Sequence, residues 1–527
     1  MNKIAVYLNN HLTGTVFDKE SILEAYSTDL SPLKVKPRLV AIPETTSDIR
    51  KLVRFASQLT EKKYALPISV RGSGLCKTGA DLSSGLVIST EKFTRVRELD
   101  SHDRLVHVQA GITLGRLNAI LAPHGLTLPV RANPNETIGS LISNAPIDDY
   151  SGKFGGIMNY VDRLEVVLSN GELIQTSRLG LSKFADKRSE KSFEGEIYKK
   201  LNTLITENFE QILSQPDNTR VGYPALKHVK RNHGHVFDLM PAFLGAEGSL
   251  GVITEVILRL EVLPPREHRI LAVFGTMKSA REFMDYCLKL EPLTVEIFDT
   301  RIFKATEEVG KKPNLLTRKL EDGFAVLVSF AEKHRKAHKK VQKALGFLPK
   351  SAYVVSETTK NTGDFEEFKS CLSCYINNAP KGDRPNLFND FSMPNNHLEG
   401  FLEGLKVLTK NYKKSLEIYG CYATGIYSVR PDFDLSKVSE RRTLLELLRD
   451  FNELVISLGG SLAGGTPEGR LKSIVIYPEL KSEDKTIISG VKSIFDKNNV
   501  FAPEAKSNYD TRSAVKHLRV EPNLGLE

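Results

Sequence analysis

A glycine-rich turn separates two short apolar runs, at residues 65–68 and 85–88: Ser69-Val70-Arg71-Gly72-Ser73-Gly74-Leu75-Cys76-Lys77-Thr78-Gly79. Glycine allows a backbone with positive φ to approach a ligand closely, because no Cβ stands in the way. Consecutive N–H groups in such a turn form a concave site for anions, and Arg71 and Lys77 add positive charge. The pattern therefore predicts a strand, a phosphate-binding turn and a second strand.

Three later segments accompany this turn in a recognisable order and spacing. Residues 105–115 read as a strand that runs into a helix capped near Thr113, and glycine-bearing segments follow at 137–145 and 245–255. Together the four segments resemble the FAD-binding domain of the vanillyl-alcohol oxidase/PCMH flavoprotein superfamily, in its D-lactate dehydrogenase and glycolate oxidase (GlcD-like) group. The resemblance implies an α+β fold: a PCMH-type FAD-binding domain of two subdomains, and an α+β cap domain of the FAD-linked oxidase C-terminal type.

The composition describes a soluble globular protein of two or three domains, with 527 residues, 40% hydrophobic and 26% charged. The formal net charge is +9, but basic residues alternate with acidic ones, as at 187–191 and 332–336. Such interleaving is typical of solvated helices and argues against nucleic-acid binding, while weak attraction to anionic lipid stays open. We find no apolar run of membrane-spanning length and no secretory signal, so we expect a cytoplasmic protein, with peripheral contact to the inner membrane face left open.

Proline and glycine signals and changes of hydrophobic pattern along the chain indicate four segments. Residues 1–36 are predicted to be an N-terminal leader, and 37–265 the FAD-binding PCMH-type domain, which ends at a Pro-Pro pair. Within it, the Asn-Gly dipeptide at 170–171 predicts a hairpin turn. Strand and helix patterns alternate over 266–481, the predicted substrate or cap domain. The resemblance implies that 482–527 packs back toward the flavin.

The resemblance assigns the cofactor contacts to the glycine-bearing turns and to one strand. Two turns would bind the FAD pyrophosphate through backbone N–H groups, and the strand would support the flavin ring. Superfamily members with covalently attached flavin carry a histidine at the position of Leu75, so the resemblance implies non-covalent FAD here. The predicted cofactor-binding residues are Arg71, Gly72, Ser73, Gly74, Thr78, Gly79, Thr137, Gly139, Ser140, Asn144, Gly251, Val252 and Ile253.

The motifs that carry catalysis in this group are degenerate in this chain. Residues 419–431 keep the frame of the first motif, but Cys421 and Ser428 stand where the group has two metal-binding histidines. In the second motif Gly465 and Thr466 replace a metal-ligand carboxylate and the base histidine. A divalent ion needs three or four ligands, and a single thiol remains, so we predict no metal site.

Several polar side chains survive in the two motifs. Arg430 and Arg470 could hold a carboxylate or phosphate in a bidentate way. Glu468, or a tyrosine such as Tyr422, could serve as the base that an alcohol oxidation requires. These four residues are the predicted catalytic set, and a purely structural role stays open for each.

These features predict an FAD-dependent oxidoreductase. Its substrate would be a hydroxyl-bearing small molecule, either a 2-hydroxy acid such as D-lactate or glycolate or a related alcohol, with hydride transfer to flavin N5. A quinone, an electron-transfer protein or O₂ would accept the electrons. Two alternatives stay open: a flavoprotein with non-redox chemistry like that of alkylglycerone-phosphate synthase, and an FAD-binding subunit of a larger complex. The chain lacks the histidine run of the synthases, which counts against close kinship with them.

Overall fold

The computed structural model describes residues 3–307, 313–316, 322–349, 352–377, 379, 382–507 and 509–520. Over these residues the chain forms an α+β structure, which confirms the predicted fold class. The N-terminal domain has two main sheets and two small ones of three and two strands, and the cap domain has one large sheet. None of the helices described is both long and apolar enough to cross a membrane.

The first subdomain is built on a four-stranded sheet with two parallel inner pairings. The strands are, in spatial order, Thr15–Phe17, Leu39–Ile42, Leu86–Ser89 and Ile68–Arg71. Helix Thr46–Glu61 covers this sheet with one apolar face, and it begins at a capping box formed by Thr45 and Asp48. The edge strand at 15–17 pairs antiparallel with its neighbour, so part of the predicted leader belongs to this sheet.

The second subdomain is built on a five-stranded antiparallel sheet. In spatial order its strands are Val96–Asp100, Leu105–Gln109, Val252–Arg259, Val161–Val167 and Leu173–Gln175. The predicted hairpin is confirmed, because the last two strands pair and Gly171 has a φ of +80° in the turn between them. The helices of this subdomain include Leu114–Leu121, Ile138–Asn144, Leu181–Ser189, Phe193–Glu207 and Phe209–Ser214.

The cap domain is built on a seven-stranded antiparallel sheet with helices on both faces. In spatial order its strands are Tyr353–Ser356, His268–Phe274, Phe324–Phe330, Thr294–Asp299, Ile418–Cys421, Ile426–Val429 and Phe391–Ser392. The helices include Met277–Leu288, Arg301–Glu307, His334–Phe347, Thr362–Asn377, Leu398–Tyr412 and Val438–Ser457. Successive residues of one strand belong to different cores: Ile270 and Ala272 pack with Phe283, whereas Leu271 packs with Phe365.

The C-terminal segment returns to both subdomains of the FAD-binding domain. Helix Ser482–Phe495 packs against helix Phe193–Glu207, and Phe501 forms a parallel bridge with Ile68. Ile68 donates its N–H to the Val500 carbonyl at 2.7 Å and accepts from the Ala502 N–H at 2.7 Å. The chain thus closes against the strand that leads into the glycine-rich turn. The last residues of the predicted segment, 521–527, lie outside the described residues.

Candidate active site

The two glycine-bearing turns meet at a narrow cleft, which we call the cofactor cleft. A Cβ at Gly72 would overlap Oγ1 of Thr137, so the turns approach each other this closely because residue 72 is glycine. Thr137 caps helix Ile138–Asn144 by accepting the Ser140 N–H at 3.3 Å, and the helix therefore begins at the cleft. The lining of the cleft includes seven of the predicted cofactor residues: Gly72, Thr137, Gly139, Ser140, Asn144, Gly251 and Ile253.

The strand that borders the cleft presents alternate residues to it. Gly251 and Ile253 line the cleft, whereas the side chain of Val252 is buried in the core of the first subdomain together with Val167. This follows from the two-residue period of a strand. All three residues stay predicted cofactor contacts, and Val252 could contribute to the cleft through its backbone alone.

The remaining predicted residues of the first turn do not line the cleft, and two of them make contacts that fix the backbone of the turn. The guanidinium of Arg71 folds over Gly74, which has a φ of +76° and no room for a Cβ. Gly79 also has a positive φ, of +77°, and its carbonyl accepts the Arg470 Nε–H at 2.8 Å. Ser73 is exposed, so it is the least constrained member of the turn.

A buried ion triad ties the first turn to the C-terminal segment. Lys506 Nζ lies 3.1 Å from a carboxylate oxygen of Glu247 and 3.1 Å from one of Glu468. Glu247 also accepts the Thr78 hydroxyl at 2.7 Å and the Gly469 N–H at 3.2 Å. Burial lowers the pKa of the Lys506 ammonium, but the two carboxylates outweigh it and raise that pKa. Glu247 lies in the glycine-bearing segment at 245–255 and Lys506 in the C-terminal segment, but neither was among the predicted site residues.

A larger cavity of about 340 Å³ lies between the FAD-binding domain and the cap domain. We call it the interdomain cavity. Cys421, Ser428 and Thr466, three of the replaced motif positions, all line it. Lys77, Thr78 and Asn144 line it from the side of the two turns, as does Leu75. The cavity therefore joins the degenerate motifs to the predicted cofactor loops.

The predicted catalytic residues take a different place: all four are described by the structure, and none of them lines the interdomain cavity. Tyr422 is buried in the cap core and donates its hydroxyl to Asp285 at 2.6 Å. Arg430 donates to the Tyr419 hydroxyl at 3.2 Å and to a backbone carbonyl at 3.3 Å. Arg470 is 2% exposed and donates to backbone carbonyls of the first turn.

Glu468, the fourth predicted residue, is also enclosed. Its carboxylate accepts the Gly222 N–H at 3.0 Å in addition to Lys506. Burial raises the pKa of Glu468, and the Lys506 ammonium offsets part of that rise. The positions of these four residues favour the structural role that the sequence left open for each.

Asp390 occupies the centre of the degenerate motifs instead. The Asp390 N–H donates to Ser428 Oγ at 2.9 Å, and Oδ2 of Asp390 accepts the Thr466 hydroxyl at 3.3 Å. Its φ of +54° is uncommon for a residue with a side chain, and such strain often accompanies functional sites. Burial raises the pKa of Asp390, but Lys77 and Lys472 outweigh it and hold that pKa below its usual value. The sequence offered no signal for this residue, because it lies outside both motifs.

Further carboxyl groups line the same cavity with raised pKa values. Burial raises the pKa of Glu136 to about 7, and that of Asp148 to about 6. Burial together with the charge of Glu296 raises the pKa of Asp149 to about 7. Groups whose pKa values are shifted in this way cluster at functional sites.

Family comparison identifies both domains. Residues 37–177 match the family described as FAD binding domain, and residues 263–505 match the family described as FAD linked oxidases, C-terminal domain. The chain belongs to the FAD-linked oxidases.

Relatives of this FAD-linked oxidase are distant in sequence. It is 24% identical over 522 residues to a D-2-hydroxyglutarate dehydrogenase of Haemophilus influenzae, covering 94% of the chain and 50% of that protein. It is 24% identical over 503 residues to the glycolate oxidase subunit GlcD of Bacillus subtilis, covering 93% of each. The chain thus spans about half the length of the D-2-hydroxyglutarate dehydrogenases that it matches.

Solved structures agree on the fold. The 4-ethylphenol oxidase from Gulosibacter chungangensis superposes with a TM-score of 0.69 at 13% identity, covering 97% of each chain. An alkyldihydroxyacetonephosphate synthase superposes with a TM-score of 0.64 at 13% identity, covering 95% of this chain and 86% of the other. At such low identity these likenesses show the fold alone.

The cofactor cleft of this FAD-linked oxidase fits FAD. Nη1 of Arg71 is buried and forms no hydrogen bond with any residue that the structure describes. A guanidinium with an unused buried donor, beside two glycine-bearing turns, suits an anionic group such as a pyrophosphate. The residues that would hold FAD are therefore Arg71 and the backbone of the two turns. Leu75 occupies the position of the attachment histidine, and non-covalent binding stays a prediction.

The degenerate motifs of this oxidase do not gather metal ligands. In the described part of the chain, one group of three His, Cys, Asp or Glu side chains has its ligand atoms within 4.8 Å of one another: Asp29, Cys76 and Asp81. This group lies beside the first turn, where Arg71 and Arg470 oppose the charge of Asp81. Burial and the charge of Asp29 nevertheless raise the pKa of Asp81, and burial raises the pKa of the Cys76 thiol, so the ionised forms that a metal requires are disfavoured. The absence of metal stays a prediction.

Proposed function

We propose that this FAD-linked oxidase oxidises a hydroxyl group of a small molecule held in the interdomain cavity. The observation that carries the proposal is that one cavity is lined both by the flavin turns, through Lys77 and Asn144, and by the replaced motif positions, through Ser428 and Thr466. The names of three relatives, D-2-hydroxyglutarate dehydrogenase, D-lactate dehydrogenase and a glycolate oxidase subunit, all refer to hydroxy-acid oxidation, which supports the same reaction class.

Oxidation of an alcohol requires a group that takes the hydroxyl proton. Bound FAD supplies the acceptor for the hydride. We propose Glu136 as the proton acceptor, because it lines the cavity directly before Thr137 of the second flavin turn. With the residues that the structure describes, its carboxylate forms no hydrogen bond or ion pair. Its pKa of about 7 lies near the working pH, where a general base is most effective.

Other residues of the cavity would position the substrate and control the charge of Glu136. Lys77 lowers the pKa of Glu136, whereas Asp390 raises it, so the two oppose each other. Lys77 Nζ also lies 3.9 Å from Oδ2 of Asp390. Ser428 and Thr466 hold Asp390 in place by hydrogen bonds, at positions where the group that the chain resembles has a metal ligand and the base.

The proposal is tested by anaerobic reduction of FAD-loaded protein. The panel contains 2-hydroxy acids, polyols, aldoses and amino alcohols, each added at saturating concentration under argon. We expect at least one of them to reduce the flavin, seen as loss of the oxidised flavin absorbance on the time scale of stopped-flow mixing. A flavin that dithionite reduces, but that no hydroxyl compound in the panel reduces, would count against oxidation and favour the non-redox alternative.

The electron acceptor also belongs to the proposal. A quinone, an electron-transfer protein and O₂ are the three candidates. Re-oxidation of the substrate-reduced protein by ubiquinone analogues, by ferricenium and by dissolved O₂ distinguishes them by rate. Slow re-oxidation by O₂ with fast re-oxidation by the other acceptors would indicate a dehydrogenase rather than an oxidase.

A further inference from the structure

The charges that line the interdomain cavity are mostly negative. Five carboxyl groups and two cations line it: Glu136, Asp148, Asp149, Glu296, Asp390, Lys77 and Arg131. Lys369 lies outside the lining but forms an ion pair with Glu296 at 3.0 Å, so the excess is two negative charges when all are ionised. The replaced motif positions Cys421, Ser428 and Thr466 add no positive charge to this lining.

Both cations already face carboxylates. Lys77 lies 3.9 Å from Asp390, and Arg131 Nε lies 3.9 Å from Asp149 Oδ2. Burial lowers the pKa of Arg131, but its acidic neighbours outweigh burial and raise that pKa, and Glu296 has the strongest effect among them. Among the described residues that line the cavity, each cation therefore has a carboxylate neighbour. A substrate carboxylate would have to compete with these neighbours for the same two cations.

The carboxyl groups, in contrast, have acceptor capacity to spare. Oδ2 of Asp148 is buried and accepts no hydrogen bond from the residues that the structure describes. The carboxylate of Asp149 lines the cavity, its side chain is 37% exposed, and it forms a long ion pair with Arg131. Glu136 lines the cavity as well. Hydroxyl and ammonium groups are the donors that such carboxyl groups accept.

We infer that the substrate of the proposed oxidation is an alcohol without a carboxylate, whose further hydroxyl or ammonium groups donate to Asp148 and Asp149. The inference rests on the proposed function for the reaction itself. It departs from the hydroxy acids in the names of the relatives, because like charges across a binding surface disfavour an anion.

Two matched series of ligands test the inference. D-Lactate, propane-1,2-diol and 1-amino-2-propanol share a three-carbon chain with a hydroxyl at C2, and differ in a carboxylate, a hydroxyl or an ammonium at C1. Gluconate, sorbitol and 1-amino-1-deoxysorbitol form the equivalent six-carbon series. Binding to FAD-loaded protein is measured by calorimetry at neutral pH. In at least one series we expect the diol or the amine to bind roughly tenfold or more tightly than the acid.

The comparison between the two favoured ligands separates charge from hydrogen bonding. Tighter binding of the amine than of the polyol would indicate recognition of a positive charge. Equal binding would indicate recognition of donors alone. In both cases the acid is expected to be the weakest member of its series.

A variant and a matched control assign the effect to the cavity. Asp149→Asn removes a cavity carboxylate and releases Arg131, so it should weaken the amine and strengthen the acid, each by roughly fivefold to tenfold. Glu98→Gln removes one negative charge from an exposed strand position and should leave the order of the ligands unchanged. Melting temperatures of both variants verify that they are folded.

The outcomes for the inference and for the proposed function are distinguishable. Acid binding as tight as that of the polyol and the amine, or no saturable binding of either in both series, overturns the inference. Polyols or amines that bind more tightly than the acid but never bleach the flavin support the ligand preference and contradict the proposed oxidation. Bleaching by D-lactate or gluconate alone supports the oxidation and contradicts the inference.

Discussion

The cofactor cleft and the interdomain cavity meet at Asn144, which lines both, yet they are built in different ways. The cleft consists of backbone held close by small residues, such as Gly72 against Thr137. The cavity consists of side chains from segments far apart in the sequence, such as Glu136 and Asp390. A site made of backbone depends on a few glycines and changes little, whereas a site made of side chains can change its chemistry through a few substitutions.

This difference explains why the two halves of the molecule have diverged unequally from the family pattern. The cleft retains a cation with an unused donor and two turns that suit FAD. In the cavity, Cys421, Ser428 and Thr466 have replaced ionisable motif residues, and Asp390 organises them instead. The scaffold can therefore keep its cofactor while it exchanges its substrate chemistry.

The largest expected effect is the loss of FAD affinity when one methyl group is added at Gly72 in the cofactor cleft. Gly72→Ala places a Cβ on Oγ1 of Thr137, so the two turns must separate and the cap of the second turn must shift. We expect FAD affinity to fall at least about 100-fold, or roughly 3 kcal/mol. Gly275→Ala is the control, because a Cβ there meets open space. Reconstitution of the apoprotein, followed by flavin fluorescence, measures both; unchanged affinity in Gly72→Ala would mean that the turns do not form the cofactor site.

The next largest effect concerns the substrate side. Glu136→Gln removes the proposed proton acceptor with little change in shape, so flavin reduction by the best substrate should slow by about 10²–10⁴-fold. The wild-type rate should rise with pH through about 7, because Glu136 acts as a base only when ionised, and this rise should be absent in the variant. Stopped-flow absorbance measures both. A normal rate and pH profile in Glu136→Gln would assign the base elsewhere.

Glu136→Gln should slow flavin reduction but increase the stability of the folded protein. Burial raises the pKa of Glu136 from 4.5 in its usual state to about 7, so the folded protein binds its proton more tightly than the unfolded chain. Glu136 therefore costs stability as the pH rises from about 4.5 to about 7, and this cost remains above that range. Relative to wild type, Glu136→Gln should gain up to about 3 kcal/mol at pH 8 but little at pH 4. Thermal unfolding at the two pH values, with Glu98→Gln as the surface control, provides the measurement.

A smaller effect, on stability, is expected from substitution of Arg430, which does not line the cavity. Arg430 contacts the Tyr419 hydroxyl and the backbone of Arg384, so Arg430→Lys should lower stability by about 1–3 kcal/mol. Flavin reduction per folded molecule should stay within roughly threefold of wild type, because the residue does not line the cavity. The competing hypothesis, substrate binding by this arginine, requires a loss of about thirtyfold or more in kcat/KM. Melting temperatures and kinetics of the same preparation separate the two.

The fold and the cofactor side could be predicted from the sequence because their signals are local. Glycines in the turns, the cap at Thr137 and the Asn-Gly hairpin each reflect backbone geometry within a few residues. Val252 stays a predicted cofactor contact through its backbone, because strand alternation directs its side chain to the core. Register within a strand requires knowledge of which face the rest of the chain covers.

The substrate side could not be predicted in the same way. Arg470 and Glu468 keep their motif positions, but their side chains serve the first turn and the triad with Lys506, which the motif alone does not reveal. Glu136 and Asp390 come together only through the packing of two domains, so no spacing in the sequence indicates them. Charge in a cavity is a property of the assembled surface.

Removal of metal is expected to have no effect on flavin reduction, and this tests whether the interdomain cavity has lost the metal chemistry of the family. Cys421 and Ser428 replace two histidines of the family motif, and no three ligand atoms of the described cavity residues gather within 4.8 Å. Burial also raises the pKa of the Cys421 thiol to about 12, so the thiolate that a metal requires is disfavoured there. Dialysis against chelator should therefore leave flavin reduction within error of the untreated protein, and elemental analysis should find no stoichiometric zinc or manganese. Loss of activity that added metal restores would contradict this, and it would mean that the substrate side has kept the family's metal chemistry with different ligands.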